Sequence, residues 1–140
     1  MDEILRSYLI LMIYLLTAAF CDIVMLAIPM WATYFAFFGW LACSQNAGPA
    51  SLAKACAAAL FIYFIAEILS LIKGFTVLGR GDVFIIFIIA LFLDTGAFLA
   101  AMFFSCLFAL VLIMIFCGFM KFSDIPLAPA FLFGAMAVIW

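Results

Sequence analysis

Histidine is absent from all 140 residues of the chain. That excludes a Ser-His-Asp triad, a Cys-His dyad and any metal site ligated by histidine. Charge is scarce as well. Charged residues make up 9% of the chain, against about 25% in soluble domains. Five basic and seven acidic side chains cannot wet the surface of a soluble domain of this length. The net charge of -2 gives no basis for a nucleic-acid partner. The five cysteines, Cys21, Cys43, Cys56, Cys106 and Cys117, form no C-x-x-C pair, so they read as small apolar residues in helices rather than zinc ligands or a dithiol. No basic segment precedes the first apolar run, which follows Asp2 and Glu3, and no small-residue cleavage site follows it. The run is therefore expected to stay as a membrane anchor. Alternation of polar and apolar residues is also missing, which removes the closed β-barrel.

What the chain has instead is apolar length. Hydrophobic residues make up 74% of it, against about 45–50% in soluble domains. Backbone polar groups in lipid must bond within their own segment, so the expected fold is an all-α, polytopic transmembrane bundle, read as a single domain over residues 1–140. Polar breaks divide it into about six segments, at residues 4–21, 29–43, 51–72, 83–93, 97–120 and 127–140. The breaks are Asp22 to Pro29; Ser44, Gln45, Asn46, Gly48 and Pro49; Lys73, Gly74, Thr76, Gly79, Arg80, Gly81 and Asp82; Asp94, Thr95 and Gly96; and Lys121, Ser123, Asp124 and Pro126. The fourth and sixth segments reach only about 16 Å and about 21 Å as helices, short of about 30 Å of hydrocarbon, and read as tilted half-spans among longer helices. Six crossings place the first, third and fifth breaks on one side, with Lys73, Arg80 and Lys121. Arg6 and Lys54 fall on the other. The positive-inside tendency makes the first side cytoplasmic. Asp22 and Asp82 share a face whichever side is inside.

Ionisable residues at membrane depth are expensive and are candidates for function. Glu67, within the third segment, reads as an ion-pair partner of a nearby lysine, and Asp94 as a cap beside Thr95 and Gly96. Asp22 has apolar neighbours on both sides and no basic partner. Asp82 follows Gly79-Arg80-Gly81 and would cap the helix it opens. The glycines add something a cap does not need, close approach to another backbone such as an extended peptide. Two carboxyl groups held close together disfavour double ionisation, so they share a proton and supply one acid and one base. That is the chemistry of aspartic peptide hydrolysis. A small channel, transporter or assembly subunit would use the same helices, with the acids holding an ion or proton.

Three motifs, in order, resemble the prepilin (type IV leader) peptidase family. Gly79-Arg80-Gly81-Asp82 matches the G-x-G-D motif, with Val83 following it; Asp22 is followed by Ile28-Pro29 at the family's interval; and Ile125-Pro126-Leu127-Ala128-Pro129 matches an Ile-Pro-x-x-Pro loop before the last helix. The resemblance implies that Asp22 and Asp82 are catalytic, with Gly79, Gly81, Pro29, Pro126 and Pro129 shaping the site or binding substrate. It implies no cofactor and no metal. The partner would be the leader peptide of a type IV pilin-like precursor, cut at the cytoplasmic face of a prokaryotic inner or plasma membrane. Larger members carry an extra cytoplasmic segment, often with cysteine pairs, and methylate the new N-terminus. No such segment is expected here, and no methyltransferase activity. The chain departs from the pattern at Phe84, where the family often has Lys, at Met30 in place of Asn, and in the apolar stretch 23–27, often basic in the family.

Overall fold

The computed structural model describes residues 2–43, 48–74, 78–116 and 125–140. The predicted turn at Ser44, Gln45 and Asn46, Thr76, the loop at Lys121, Ser123 and Asp124, Cys117, and the end of the fifth segment at Met120 lie outside them. The described residues form six helices and no strand: α1 (Asp2–Met25), α2 (Met30–Cys43), α3 (Pro49–Lys73), α4 (Arg80–Phe92), α5 (Thr95–Phe116) and α6 (Ala128–Ile139). The helix ends follow local chemistry. Pro49 opens α3, and Pro129 stands in the first turn of α6, where a missing N–H breaks no intrahelical bond. Gly74 closes α3 at φ 74°, a left-handed conformation suited to glycine.

Three stretches, Ile4–Met25, Pro49–Lys73 and Thr95–Phe116, are long and apolar enough to cross a membrane. α4, by contrast, is about 20 Å long. It is nevertheless the centre of the bundle and touches all five other helices. Ile85, Ile88 and Ile89 are fully buried and Ile86 nearly so. Apolar on every side, α4 can be accommodated wherever neighbours surround it. The outer helices use small residues to come close. Ala55, Ala59 and Ala66 are the buried positions of α3, which packs on α4. At the α5–α6 crossing, a Cβ at Gly134 would run into Ser105 and lie 2.5 Å from the Ala101 carbonyl. Without a hydrophobic drive between helices in lipid, such close backbone approach is what holds them together. The remaining faces of α3 and α5 expose Leu60, Phe61, Phe64, Leu71, Phe103 and Met114. In water this surface would aggregate; in a bilayer it is the ordinary outer face of a membrane protein.

Two expected boundaries are corrected. α1 does not stop before Asp22 but runs on to Met25, so the acid belongs to a helix rather than a loop. It can do so because its carboxyl finds partners inside the bundle. α4 begins at Arg80, with Gly79 at the N-cap, so Asp82 stands in the first turn of the helix and caps it from the third helical position, through the Gly79 N–H, instead of occupying the cap position itself. Asp94 does cap α5 as expected: its Oδ1 accepts the Ala97 N–H at 2.7 Å.

Candidate active site

The C-terminal end of α1 and the N-terminal ends of α4 and α6 converge at one end of the bundle. Asp22 Oδ2 accepts the backbone N–H of Ala128 at 2.9 Å. This donor opens α6, where backbone N–H groups lack intrahelical acceptors. The bond joins residues 106 positions apart and brings the Ile125–Pro129 motif against the first aspartate. Ile125, Ala128 and Pro129 are buried, and Pro126 is half-buried.

Asp82 is fixed from its own loop. Its Oδ2 accepts the Gly79 N–H at 3.0 Å, while its own N–H donates to the Gly79 carbonyl at 3.1 Å. The two bonds lock the turn and leave the carboxyl's other oxygen outside this pair. Gly81 sets the closeness of the next element. A Cβ there would lie 2.8 Å from Cδ1 of Ile28, so the G-x-G-D turn and the Ile28-Pro29 motif meet at a distance only glycine permits without displacement. The segment between Asp22 and Pro29 turns sharply: Leu26 takes a left-handed φ of 50° and donates its N–H to the Asp22 carbonyl at 3.0 Å. For a non-glycine residue that conformation stores strain of about 1–2 kcal/mol.

Asp22 and Asp82 are each only 8% exposed, and they interact electrostatically across the α1–α4 contact. The structure therefore brings together Asp22, Asp82, Gly79, Gly81 and the loops of Pro29, Pro126 and Pro129. Asp94 lies beyond the other end of α4, and Glu67 is exposed on α3. Glu67 accepts a hydrogen bond from Tyr63 at 2.7 Å on the exposed side of α3, a partner the sequence reading did not consider. Phe84, two residues beyond Asp82, is exposed on α4. Among the described residues no group of three or more Cys, Asp and Glu side chains is placed to hold a metal ion.

Nothing in the residue pattern signals the backbone donor at Ala128, or the fit between Ile28 and Gly81. The only local hint is the proline spacing at 126 and 129, which marks a helix start without saying what faces it.

The fold and site define a class: a helical membrane protein that buries a pair of carboxyl groups at one end of its bundle. The chain belongs to the type IV leader peptidase family, whose pattern matches residues 9–114. The match includes Asp22, Ile28-Pro29 and Gly79–Asp82, and ends before the Ile125–Pro129 loop. No curated protein and no solved structure matches the chain.

Proposed function

We propose that this protein is a membrane-embedded aspartic endopeptidase that removes the leader peptide of type IV pilin-like precursors, with Asp22 and Asp82 as its catalytic pair. The observation that carries this reading is the convergence, at one end of the bundle, of separate family motifs that each carry a buried carboxyl group. In the mechanism, one carboxylate takes a proton from the attacking water. The other, protonated, donates a hydrogen bond to the scissile carbonyl and then helps protonate the leaving amine. Two carboxyl groups that share a proton act as a unit, so the two roles are not divided in advance between its members. The Gly79–Gly81 turn lies beside Asp82, where an extended substrate backbone would approach. The loop of Pro126 and Pro129 anchors Asp22 through α6. The working side of the membrane is the cytoplasmic one, in a prokaryotic inner or plasma membrane. The catalytic unit is one domain over residues 1–140.

The test is cleavage of pilin-like precursors in membranes, with expression checked in parallel. Asn keeps the size and hydrogen bonding of Asp but cannot exchange the proton. Asp22→Asn and Asp82→Asn are each expected to abolish cleavage while the protein stays folded. The double variant should be little worse than either single one, because residues acting as a unit are non-additive. Substantial cleavage by either single variant would remove the dyad. A wild-type protein that binds such precursors and cuts none of them would point to a non-catalytic scaffold, in line with the departures at Phe84 and Met30.

A further inference from the structure

Two cross-helix contacts set the relative heights of neighbouring helices. Lys54 Nζ donates to the Leu93 carbonyl at 2.7 Å, which levels the beginning of α3 with the end of α4. From that bond, α4 runs back to Arg80 over the same number of residues that carries α3 forward from Lys54 to Glu67. α3 then continues from Glu67 to Lys73, about 9 Å past the start of α4. α5 begins where α4 ends and returns toward the acids. At its crossing with α6, Gly134 lies against Ser105. α6 runs back from Gly134 to Ala128 over as many residues as carry α5 from Ser105 to Val111. α5 goes on to Phe116, about 8 Å past the start of α6. Both long helices therefore overhang the acid-site end. Their overhanging turns are apolar and bare: Leu71 is 83% exposed and Met114 81%. Such side chains belong out of water, so hydrocarbon extends above the level at which α4 and α6 begin.

The turn between α1 and α2 lies beneath that overhang. Asp22 is bonded to the start of α6 at Ala128, and Ile28 packs where Gly81 opens α4. α1 goes on only from Asp22 to Met25, about 5 Å, before the chain reverses. Residues from Ile23 to Met30 are all non-polar, and Ile23, Val24, Met25, Leu26, Met30 and Trp31 are exposed. Leu26 makes the reversal in a left-handed conformation. In water, glycine or asparagine would serve there without strain and without a bare leucine. We propose that this turn is inserted in the bilayer, with Ile23–Trp31 facing the phospholipid acyl chains of the leaflet on the acid-site side. The overhang puts hydrocarbon at that height, and a turn facing water or headgroups would carry polar side chains. Insertion gives a physical meaning to the apolar stretch 23–27, often basic in the family. It holds Asp22 and, through Ile28 at Gly81, the G-x-G-D turn beneath the headgroups. What reaches the acids must descend past the ends of α3 and α5. That consequence for cleavage rests on the catalytic-pair reading; the insertion does not.

The experiment uses the full-length protein in phosphatidylcholine vesicles, with its native cysteines replaced by Ala or Ser. A nitroxide is attached through Met25→Cys, Leu26→Cys or, as the reference at the rim, Lys73→Cys. Its relaxation by oxygen, which concentrates in hydrocarbon, is compared with its relaxation by a water-soluble nickel chelate. The oxygen-to-nickel ratio should be several-fold higher at positions 25 and 26 than at position 73. If the cysteine-free protein does not fold, Trp31 decides the matter in a protein carrying Trp40→Phe and Trp140→Phe. Its fluorescence should be strongly quenched by brominated phosphatidylcholine and hardly by aqueous iodide. A ratio at positions 25 and 26 no higher than at position 73, or quenching of Trp31 from the water side, overturns the inference. So does shielding from both agents, because a protein surface such as a second copy of the chain would then cover the turn. An inserted turn in a protein that cuts no precursor would leave the insertion standing and remove the catalytic reading.

Discussion

The two ends of α4 carry the same side chain in almost the same local bond. At the N-terminal end, Asp82 accepts a backbone N–H from three residues before it, at 3.0 Å. Just past the C-terminal end, Asp94 accepts one from three residues after it, at 2.7 Å. Both are helix-terminus carboxylates of the kind that satisfies orphan donors. Their surroundings differ completely. Asp82 is buried against α1 with Asp22 in electrostatic reach, whereas Asp94 is exposed. Its neighbourhood is structural: Lys54 of α3 donates to the Leu93 carbonyl at 2.7 Å, covering the end of α4. A capping bond therefore does not argue against a chemical role. What separates the two ends is whether a second carboxyl group arrives from elsewhere in the chain.

The comparison can be broken by measurement. The largest expected difference is between Asp82→Asn and Asp94→Asn in one precursor-cleavage assay. The first should lose cleavage altogether, and the second should keep most of it, since Asn is as good a cap as Asp. Equal losses would mean that capping, not chemistry, explains both. Next comes Gly81→Ala. Its new methyl would lie 2.8 Å from Cδ1 of Ile28 and push the G-x-G-D turn away from the Asp22 segment. A displacement of under an ångström at such a site lowers cleavage by about 10- to 100-fold. Adding Ile28→Ala removes the closest colliding atoms and should recover part of the loss. Full activity in Gly81→Ala alone would show that the close approach is dispensable.

Smaller effects belong to the other end. Lys54→Met removes a charged donor and leaves the Leu93 carbonyl short of a partner. Thermal unfolding in detergent should report a loss of about 1–2 kcal/mol, with cleavage at a permissive temperature unchanged. A drop in cleavage without a drop in stability would tie that end of α4 to the acid site. Asp94→Ala is expected to be the mildest, about 1 kcal/mol from the lost cap of α5, again read by thermal unfolding.

Much of this architecture was legible before any coordinates. Twelve charges in an apolar chain required lipid, and the polar breaks divided it into segments that correspond one to one with the six helices. Proline and glycine marked the start of α3 and its end. The errors fell at the acids. Asp22 looked like a terminator because an acid after an apolar run ordinarily marks the membrane surface, yet the helix continues past it to Met25. Asp82 does cap α4, but from the third helical position, because Gly79 takes the N-cap place that the local sequence assigns to the acid.

The sequence by itself determined that the chain lives in a membrane, that it is helical, and which residue types were available for chemistry: no histidine, and a few acids at the ends of apolar segments. Backbone hydrogen bonding in lipid and the price of charge there leave little other choice. Only the tertiary structure decided which faces meet. In water, the apolar stripe of a helix marks its buried side; in lipid, an apolar side chain is equally at ease against a neighbour or an acyl chain. Composition therefore could not show that the 13-residue α4 is the hub while the longer α3 and α5 lie outside. Nor could it show that Ala128 supplies the donor to Asp22 across 106 residues, or that Ile28 meets Gly81. Those are long-range contacts, set by backbone approach at small residues and by the need of each buried polar group to find a partner.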